Sequence, residues 1–311
     1  MKKVFLGIDT SNYTTSACLA FEGDLISLKM PLCVKAGEKG IRQSEAVFQH
    51  TKNIPSLLDR LFKQARDRFG EIEVCAVGVS TTPRRQEGSY MPCFLAGVAS
   101  AHSIASSVGC PVYEFSHQEG HIRAAILGSG VDSSLSHFYS FHLSGGTCEL
   151  LEVKSDDGRY DARIIADSQD ITLGQLIDRT GVMIGIDFPC GAELEKLAEK
   201  HKELPSVLIK NSKHINLSGF ENKVKEMIGA GDSSECIAAF VFGVCKKAVE
   251  VLLKNLENID LPVIFSGGVC SSHILKYNVS SMCTAFFAPP EFSADNAIGI
   301  AALTKDSFNS R

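Results

Sequence analysis

No CxxC pair occurs in this chain, although it carries 11 cysteines. Thiols scattered without that spacing imply a reducing cytoplasm and free, mostly buried cysteines rather than a disulfide framework. No stretch approaches the roughly eighteen uninterrupted apolar residues of a membrane helix. The N-terminus MKKVFLGIDTS meets the polar Asp9 after only a short apolar run, which is not a signal-peptide pattern. Nor is there a surplus of positive charge. A formal net charge of −5 argues against autonomous, high-affinity binding of nucleic acid, which relies on clustered Lys and Arg to displace counterions from phosphates. Any RNA contact needs a local basic patch or the help of a partner. Linkers and low-complexity segments are also missing.

What is present is enough chain for two lobes. At 311 residues, 44% of them hydrophobic, the protein exceeds what one core usually supports. The opening "KKVFLGIDTSNYTTSACLAF" reads as an apolar strand, a tip of small hydroxylated residues and a second apolar strand. Much later "HFYSFHLSGGTCELLEVKS" repeats the plan around Ser144, Gly145 and Gly146. Two copies of one hairpin about half a chain apart predict an internally duplicated protein.

Between the hairpins, "RQSEAVFQHTKNIPSLLDRLFKQARDRF" has apolar residues at helical spacing interrupted at Pro55, which predicts two helices or one kinked helix. "EVCAVGVS" and "CPVYEFS" read as strands, with a helix at "FLAGVASAHSIASSVG" between them. In the second half, helical patterns at "DITLGQLIDRTGVMIGI" and "GAELEKLAEKH" flank the turn "FPCG". A long helix over "SSECIAAFVFGVCKKAVEVLLKNL" leads into the buried strand "LPVIFS", and the chain closes with a helix starting near Ser293 to Asn296. Strands alternating with helices predict an α/β sheet covered by helices.

Three glycine-bearing turns directly follow strands: "GIDTSNYTT", "LSGGTCE" and "FSGGVCSS". Glycine lets a backbone approach a ligand closely, and successive exposed N–H groups can cradle an anion. One such turn is most simply an ordinary tight turn, but three in a duplicated α/β chain favour a nucleotide. In "SHQEGHIRAA", His117 and His121 are four apart, so on a helix they share a face and can reach one ion. Glu119 sits roughly 200° around the helix from His117 and cannot take the general-base place of a metallopeptidase motif. The alternative is two solvated histidines among the 9 in the chain. Gly120, a costly helix residue, needs a reason such as backbone crowding. A catalytic ion needs a third ligand. "SADNAIGIAA" offers Asp295 at a helix start, where spacing alone favours simple N-capping.

The set "GIDTS", "HQEGHI", "SGGTCEL", "TLGQLID", "FPCGAELEKLA", "FSGGV" and "DNAIGIAA", in this order and over nearly the whole chain, resembles the TsaD family of tRNA threonylcarbamoyladenosine synthases. The resemblance implies a duplicated two-lobe actin-like ATPase fold of the sugar kinase, actin and chaperone superfamily. One lobe would span residues 1–125, the other residues 126–311. It further implies one divalent metal ion, iron or zinc, held by His117, His121 and Asp295. Nucleotide contacts fall on Ser144, Gly145, Gly146, Gly174, Asp178, Gly191, Gly267, Gly268 and Ser272, with Asp178 accepting from ribose hydroxyls and Glu195 assisting it. The implied reaction moves a threonylcarbamoyl group from threonylcarbamoyl-AMP to the exocyclic amine of the adenosine beside the tRNA anticodon. TsaB-like and TsaE-like helper proteins are the implied partners, and the cytoplasm is the implied location.

The chain departs from the family pattern around the substrate. Asn12, Tyr13 and Thr14 replace an acidic pair after the first strand, and "TTPRRQEGSYMP", with Arg84 and Arg85, replaces a GPG turn. Ser272 stands for an expected Asn and Thr147 for a His or Asn. A divergent paralogue with another acceptor and a non-catalytic, nucleotide-regulated scaffold therefore stand as alternatives. His142, two residues before Ser144 and on the same strand face, is either a further metal or cofactor contact or a hydrogen-bonded core histidine. The Arg84–Arg85 loop either contacts RNA or substrate phosphate or is simply solvated.

Overall fold

The N-terminal apolar runs form strands β1 (Lys2–Ser11) and β2 (Thr14–Ala20), paired antiparallel with Gly7 opposite Cys18 and Ser11 opposite Thr14. β2 is buried throughout and β1 over most of its length, as near-continuous apolar strands require. The structure, a computed structural model, describes residues 1–11, 13–34, 41–132, 134–156, 158–293 and 297–310. β3 (Leu25–Pro31) adds antiparallel to β2. Of the two readings around Pro55, two helices or one kinked helix, the structure has a single helix with the proline inside it. Helix α1 (Gln43–Phe69) is continuous, and its buried face of Ala46, His50, Ile54, Leu57, Leu61 and Ala65 runs straight past the proline. Packing against the sheet outweighs the lost hydrogen bond.

β4 (Ile72–Thr82), α2 (Leu95–Val108) and β5 (Val112–Ser116) complete a sheet of order β3-β2-β1-β4-β5 in which β1, β4 and β5 are parallel. Helix α3 (His117–Ser129) follows β5 with no intervening loop.

The second half repeats the plan. β6 (His137–Leu143) and β7 (Cys148–Asp156) form the second hairpin, and β8 (Arg159–Ser168) lies beyond β7. Helices α4 (Leu173–Met183) and α5 (Gly191–Ala198), the short β9 (His214–Ile215), α6 (Ser218–Ala230) and α7 (Ser234–Leu253) come next. β10 (Val263–Ser266), α8 (His273–Val279), β11 (Ala285–Phe287), α9 (Pro290–Ser293) and α10 (Ile298–Asn309) end the chain. The order β11-β10-β6-β7-β8-β9, with β6, β10 and β11 parallel, mirrors the first sheet: a hairpin and a third strand on one side, two parallel strands on the other. This is the duplicated α/β architecture that the two hairpins predict.

Two compact units result. The first comprises residues 1–127, 156–160 and 294–311, the second residues 128–155 and 161–293. This differs from a single division after residue 125, because α10 returns to pack on β1, β2 and β4. In the first unit Val4, Leu6, Ile8, Val77 and Val79 pack with Leu57 and Leu61 of α1 and Ala101 of α2. In the second, Phe141, Leu150 and Phe265 pack with Val241, Phe242 and Val249 of α7. No helix among the described residues is long and apolar enough to cross a membrane.

Candidate functional site

In the first unit, three parallel strands end together at Ser11, Thr82 and Ser116. Their carboxyl ends are where open α/β sheets usually take ligands. Asp9 lies here, 0% exposed. A buried carboxylate needs partners, and Asp9 Oδ1 accepts from the Ser80 hydroxyl and from His117 Nδ1 at 3.0 Å. A carboxylate only accepts, so the His117 proton is on Nδ1 and its Nε2 carries the lone pair. His121 Nε2 lies 2.8 Å from that Nε2, the rings edge to face at 81°.

Histidine numbering on α3 is set by a capping box. The Glu119 carboxylate accepts from the Ser116 amide and hydroxyl at 2.7 and 2.8 Å, and the Glu119 amide donates back to Ser116 Oγ. Such a box fixes a helix start, here placing His117 and His121 one turn apart at the sheet edge. Arg159 Nε adds a 2.9 Å bond to Glu119. Burial would raise the Glu119 carboxyl, but Arg159 and Ser116 outweigh it and hold it below the usual range. Glu119 is thus a structural anchor of the helix start.

Asp295, the third expected ligand, lies outside the described residues. The N-cap position of α10 is occupied by Ala297, without a side-chain cap. The first turn of α10 does meet the histidine helix. A Cβ placed on Gly299 would stand 1.8 Å from the carbonyl oxygen of Gly120, and one on Gly120 would stand 2.9 Å from Ile300 Cδ1. This crowding is the reason for Gly120. Among the described residues no group of three or more His, Cys, Asp or Glu side chains is placed to hold a metal ion; His117 and His121 stand as a pair of adjacent imidazoles. Its donor chemistry fits: a carboxylate on Nδ1 leaves Nε2 for a cation. The two Nε2 atoms, 2.8 Å apart, would have to separate for a cation to take both lone pairs.

Nearby, His50 is fully buried and its Nδ1 lies 2.9 Å from Thr15 Oγ1, which also accepts from Asn53. Burial pushes the His50 imidazole toward the neutral form, against the pull of the Asp9 charge. Burial, with the charge of Asp9, pushes the Cys93 thiol up to about 11.

The second unit holds a cavity of about 550 Å³. Gly145, Gly174, Asp178, Gly191, Glu195, Gly268 and Ser272 line it. Gly174 is required by close approach, since a Cβ there would lie 2.6 Å from the Gly145 nitrogen. That contact seats the N-terminus of α4 against the hairpin tip, where Thr172 and Gln175 form a second capping box and Thr172 Oγ1 donates to the Gly145 carbonyl. One turn into α4, Asp178 has Oδ1 fixed by the Cys190 amide at 3.0 Å.

Other expected contacts are placed differently. Ser144 Oγ accepts from the Gly146 and Thr147 amides inside its own turn. Gly267, at φ +97°, abuts the Leu143 carbonyl. His142 Nδ1 lies 3.1 Å from Ser266 Oγ on β10. Glu195 Oε1 accepts from Ser272 Oγ at 2.6 Å and the Ile274 amide at 2.9 Å, so it ties α5 to α8. The sequence reading missed Ala192, Lys196 and Glu199, which line the cavity with Glu195; their spacing of three and four along α5 was the available signal. It also missed Asp9, whose signal was a carboxylate inside an apolar strand.

The family model described as TsaD, tRNA N6-adenosine threonylcarbamoyltransferase, matches residues 31–302. Proteins named tRNA N6-adenosine threonylcarbamoyltransferase from Thermus thermophilus and Archaeoglobus fulgidus are 27% and 26% identical to this chain. They cover 95% and 96% of it, and are themselves covered to 90% and 89%. Among solved structures, HypF of T. kodakarensis has a TM-score of 0.60 at 11% identity, over 99% of this chain and 48% of that one. The Acidaminococcus fermentans (R)-2-hydroxyglutaryl-CoA dehydratase component A has a TM-score of 0.54 at 12% identity, over 98% and 99%. These structural likenesses show the fold alone, a duplicated actin-like α/β architecture. With the match extending over most of its length, this chain belongs to the TsaD family, the tRNA N6-adenosine threonylcarbamoyltransferases.

Proposed function

We propose that this protein transfers a threonylcarbamoyl group from threonylcarbamoyl-AMP to the exocyclic amine of the adenosine adjacent to the tRNA anticodon. The observation that carries the reading is the His117–His121 pair, with His117 held by Asp9 in the tautomer that leaves Nε2 for a cation. His117, His121 and Asp295 would hold one iron or zinc ion. When bound, the ion supplies Lewis acidity to the group being transferred.

The second unit holds the adenylate. Asp178, fixed by the Cys190 amide, accepts from ribose hydroxyls, while the Gly145 amide and the N-terminus of α4 face the phosphate. The acceptor nitrogen forms a bond to the carbamoyl carbon, the bond from that carbon to the phosphate oxygen breaks, and AMP leaves with the electron pair. The amine proton passes to solvent. Charge growing on the departing phosphate is stabilised by helix-end donors that need no reorganisation. The acidic balance of the chain favours helper proteins of TsaB and TsaE type for docking tRNA in the cytoplasm. The Ser266 bond favours reading His142 as a hydrogen-bonded strand histidine over a metal or cofactor contact.

The test is mass spectrometry of nucleosides from unmodified tRNA incubated with protein, helpers and threonylcarbamoyl-AMP. The modified nucleoside appears with the native chain and is lost in His117→Ala. Its absence with native protein that binds metal and AMP would sink the assignment and favour the divergent-acceptor reading, for which the Arg84–Arg85 loop is the specific motive.

A further inference from the structure

We propose that Arg85 forms an anion-binding subsite beside the histidine pair that receives the carboxylate of the transferred amino-acid moiety. This rests on the function proposed above and adds a residue that reads its substrate.

β4 delivers Ser80 to Asp9 and then turns into residues 83–91 at the carboxyl end of the parallel strands. The Pro83 carbonyl accepts from the Gln118 amide at 3.0 Å, which stitches the loop to the first turn of the histidine helix. The loop is internally braced. The Arg84 amide donates to Ser89 Oγ at 3.0 Å, Thr82 Oγ1 donates to the Arg84 carbonyl at 3.1 Å, and the Ser89 amide donates to the Gln86 carbonyl at 3.2 Å. Its shape is therefore set by hydroxyls without use of the Arg85 head group.

The two arginines differ. Arg84 is half-buried and engaged within the fold. Arg85 is exposed and has no hydrogen bond or ion pair among the described residues. It stands two residues, at most about 7 Å of chain, from the carbonyl bonded beside His117. A guanidinium on a braced loop suits a planar, bidentate anion.

A small-molecule carboxylate fits better than an RNA backbone. RNA binding draws on clusters of basic residues, whereas this loop carries one unpaired guanidinium with Glu87 in the same turn. Its tie to Gln118 sets the loop against the first turn of the histidine helix.

The experiment is isothermal titration of native protein, Arg85→Ala and Arg85→Lys with three ligands. These are a non-hydrolysable threonylcarbamoyl-adenylate analogue, the matching carbamoyl-adenylate analogue without the carboxylate, and AMP. Arg85→Ala should weaken the first about tenfold to a hundredfold and leave the others unchanged, with Arg85→Lys between. Unchanged binding of the first ligand, or equal loss for all three, overturns the subsite. Unmodified tRNA is titrated alongside at two salt concentrations; loss confined to tRNA affinity, with a shallower salt dependence, overturns the subsite and reassigns Arg85 to RNA. If native protein binds AMP but neither analogue, the transfer reading itself fails and the subsite with it.

Discussion

Replacing Gly299 by alanine tests the helix contact on which the metal assignment leans. A Cβ there would lie 1.8 Å from the Gly120 carbonyl oxygen and 2.9 Å from the Ala124 nitrogen, where ordinary contact begins at 3.4 Å. Both obstacles are backbone of α3, so no rotamer relieves them and the two helices must separate by roughly 1.5 Å. Overpacking of this kind costs about 3 kcal/mol, offset by about 1 kcal/mol of better helix propensity. The net loss of about 2 kcal/mol lowers Tm by roughly 4–8 °C for a protein of this size. Separation also draws the start of α10 away from His117 and His121, and metal affinity should fall at least about tenfold. Gly229→Ala is the control, since its helix position is exposed with nothing within 4 Å; it should hold or raise Tm by a few degrees. Differential scanning calorimetry and competitive chelator titration read both effects. A Gly299→Ala protein that melts with the native chain and keeps its metal affinity would refute the reasoning.

Asp9→Asn removes the charge that fixes the His117 tautomer, and metal affinity should drop about 10–100-fold with the fold intact by circular dichroism; unchanged affinity would reduce Asp9 to packing. Asp178→Ala should weaken AMP binding about tenfold to a hundredfold and leave metal content alone, as calorimetry and metal analysis can check together. For Glu119→Gln the sign follows from its depressed carboxyl. The folded state binds fewer protons than the unfolded one, so the stability from Glu119 is present above the unfolded value of 4.5 and is lost as pH falls through the folded value. The native advantage over Glu119→Gln in urea unfolding should therefore be full at pH 7 and shrink below pH 4.5; an advantage independent of pH would contradict the Arg159–Ser116 account.

Period and punctuation made the hairpins, the duplication and α7 legible, because those signals are local. Pro55 left two helices or one kinked helix open for the opposite reason: what holds α1 together as one helix is a buried face stabilised by strands distant in sequence. Asp9 was read only as part of a hairpin, since its partners Ser80 and His117 lie 71 and 108 residues away. Ser116 and Glu119 carry capping-box spacing in the sequence itself, a signal independent of the angle that separates Glu119 from His117 on the helix. Glu195 was assigned to the ribose by resemblance, whereas its Oε1 is taken by Ser272 and Ile274, a contact that no spacing rule encodes.

Metal stoichiometry is the most direct measurement. Native protein reconstituted with ferrous iron or zinc and desalted should hold one ion per chain by inductively coupled plasma mass spectrometry. His121→Ala and Asp295→Ala should each hold almost none while retaining AMP binding. One ion per chain in Asp295→Ala, or none in the native protein, would contradict the metal centre proposed here.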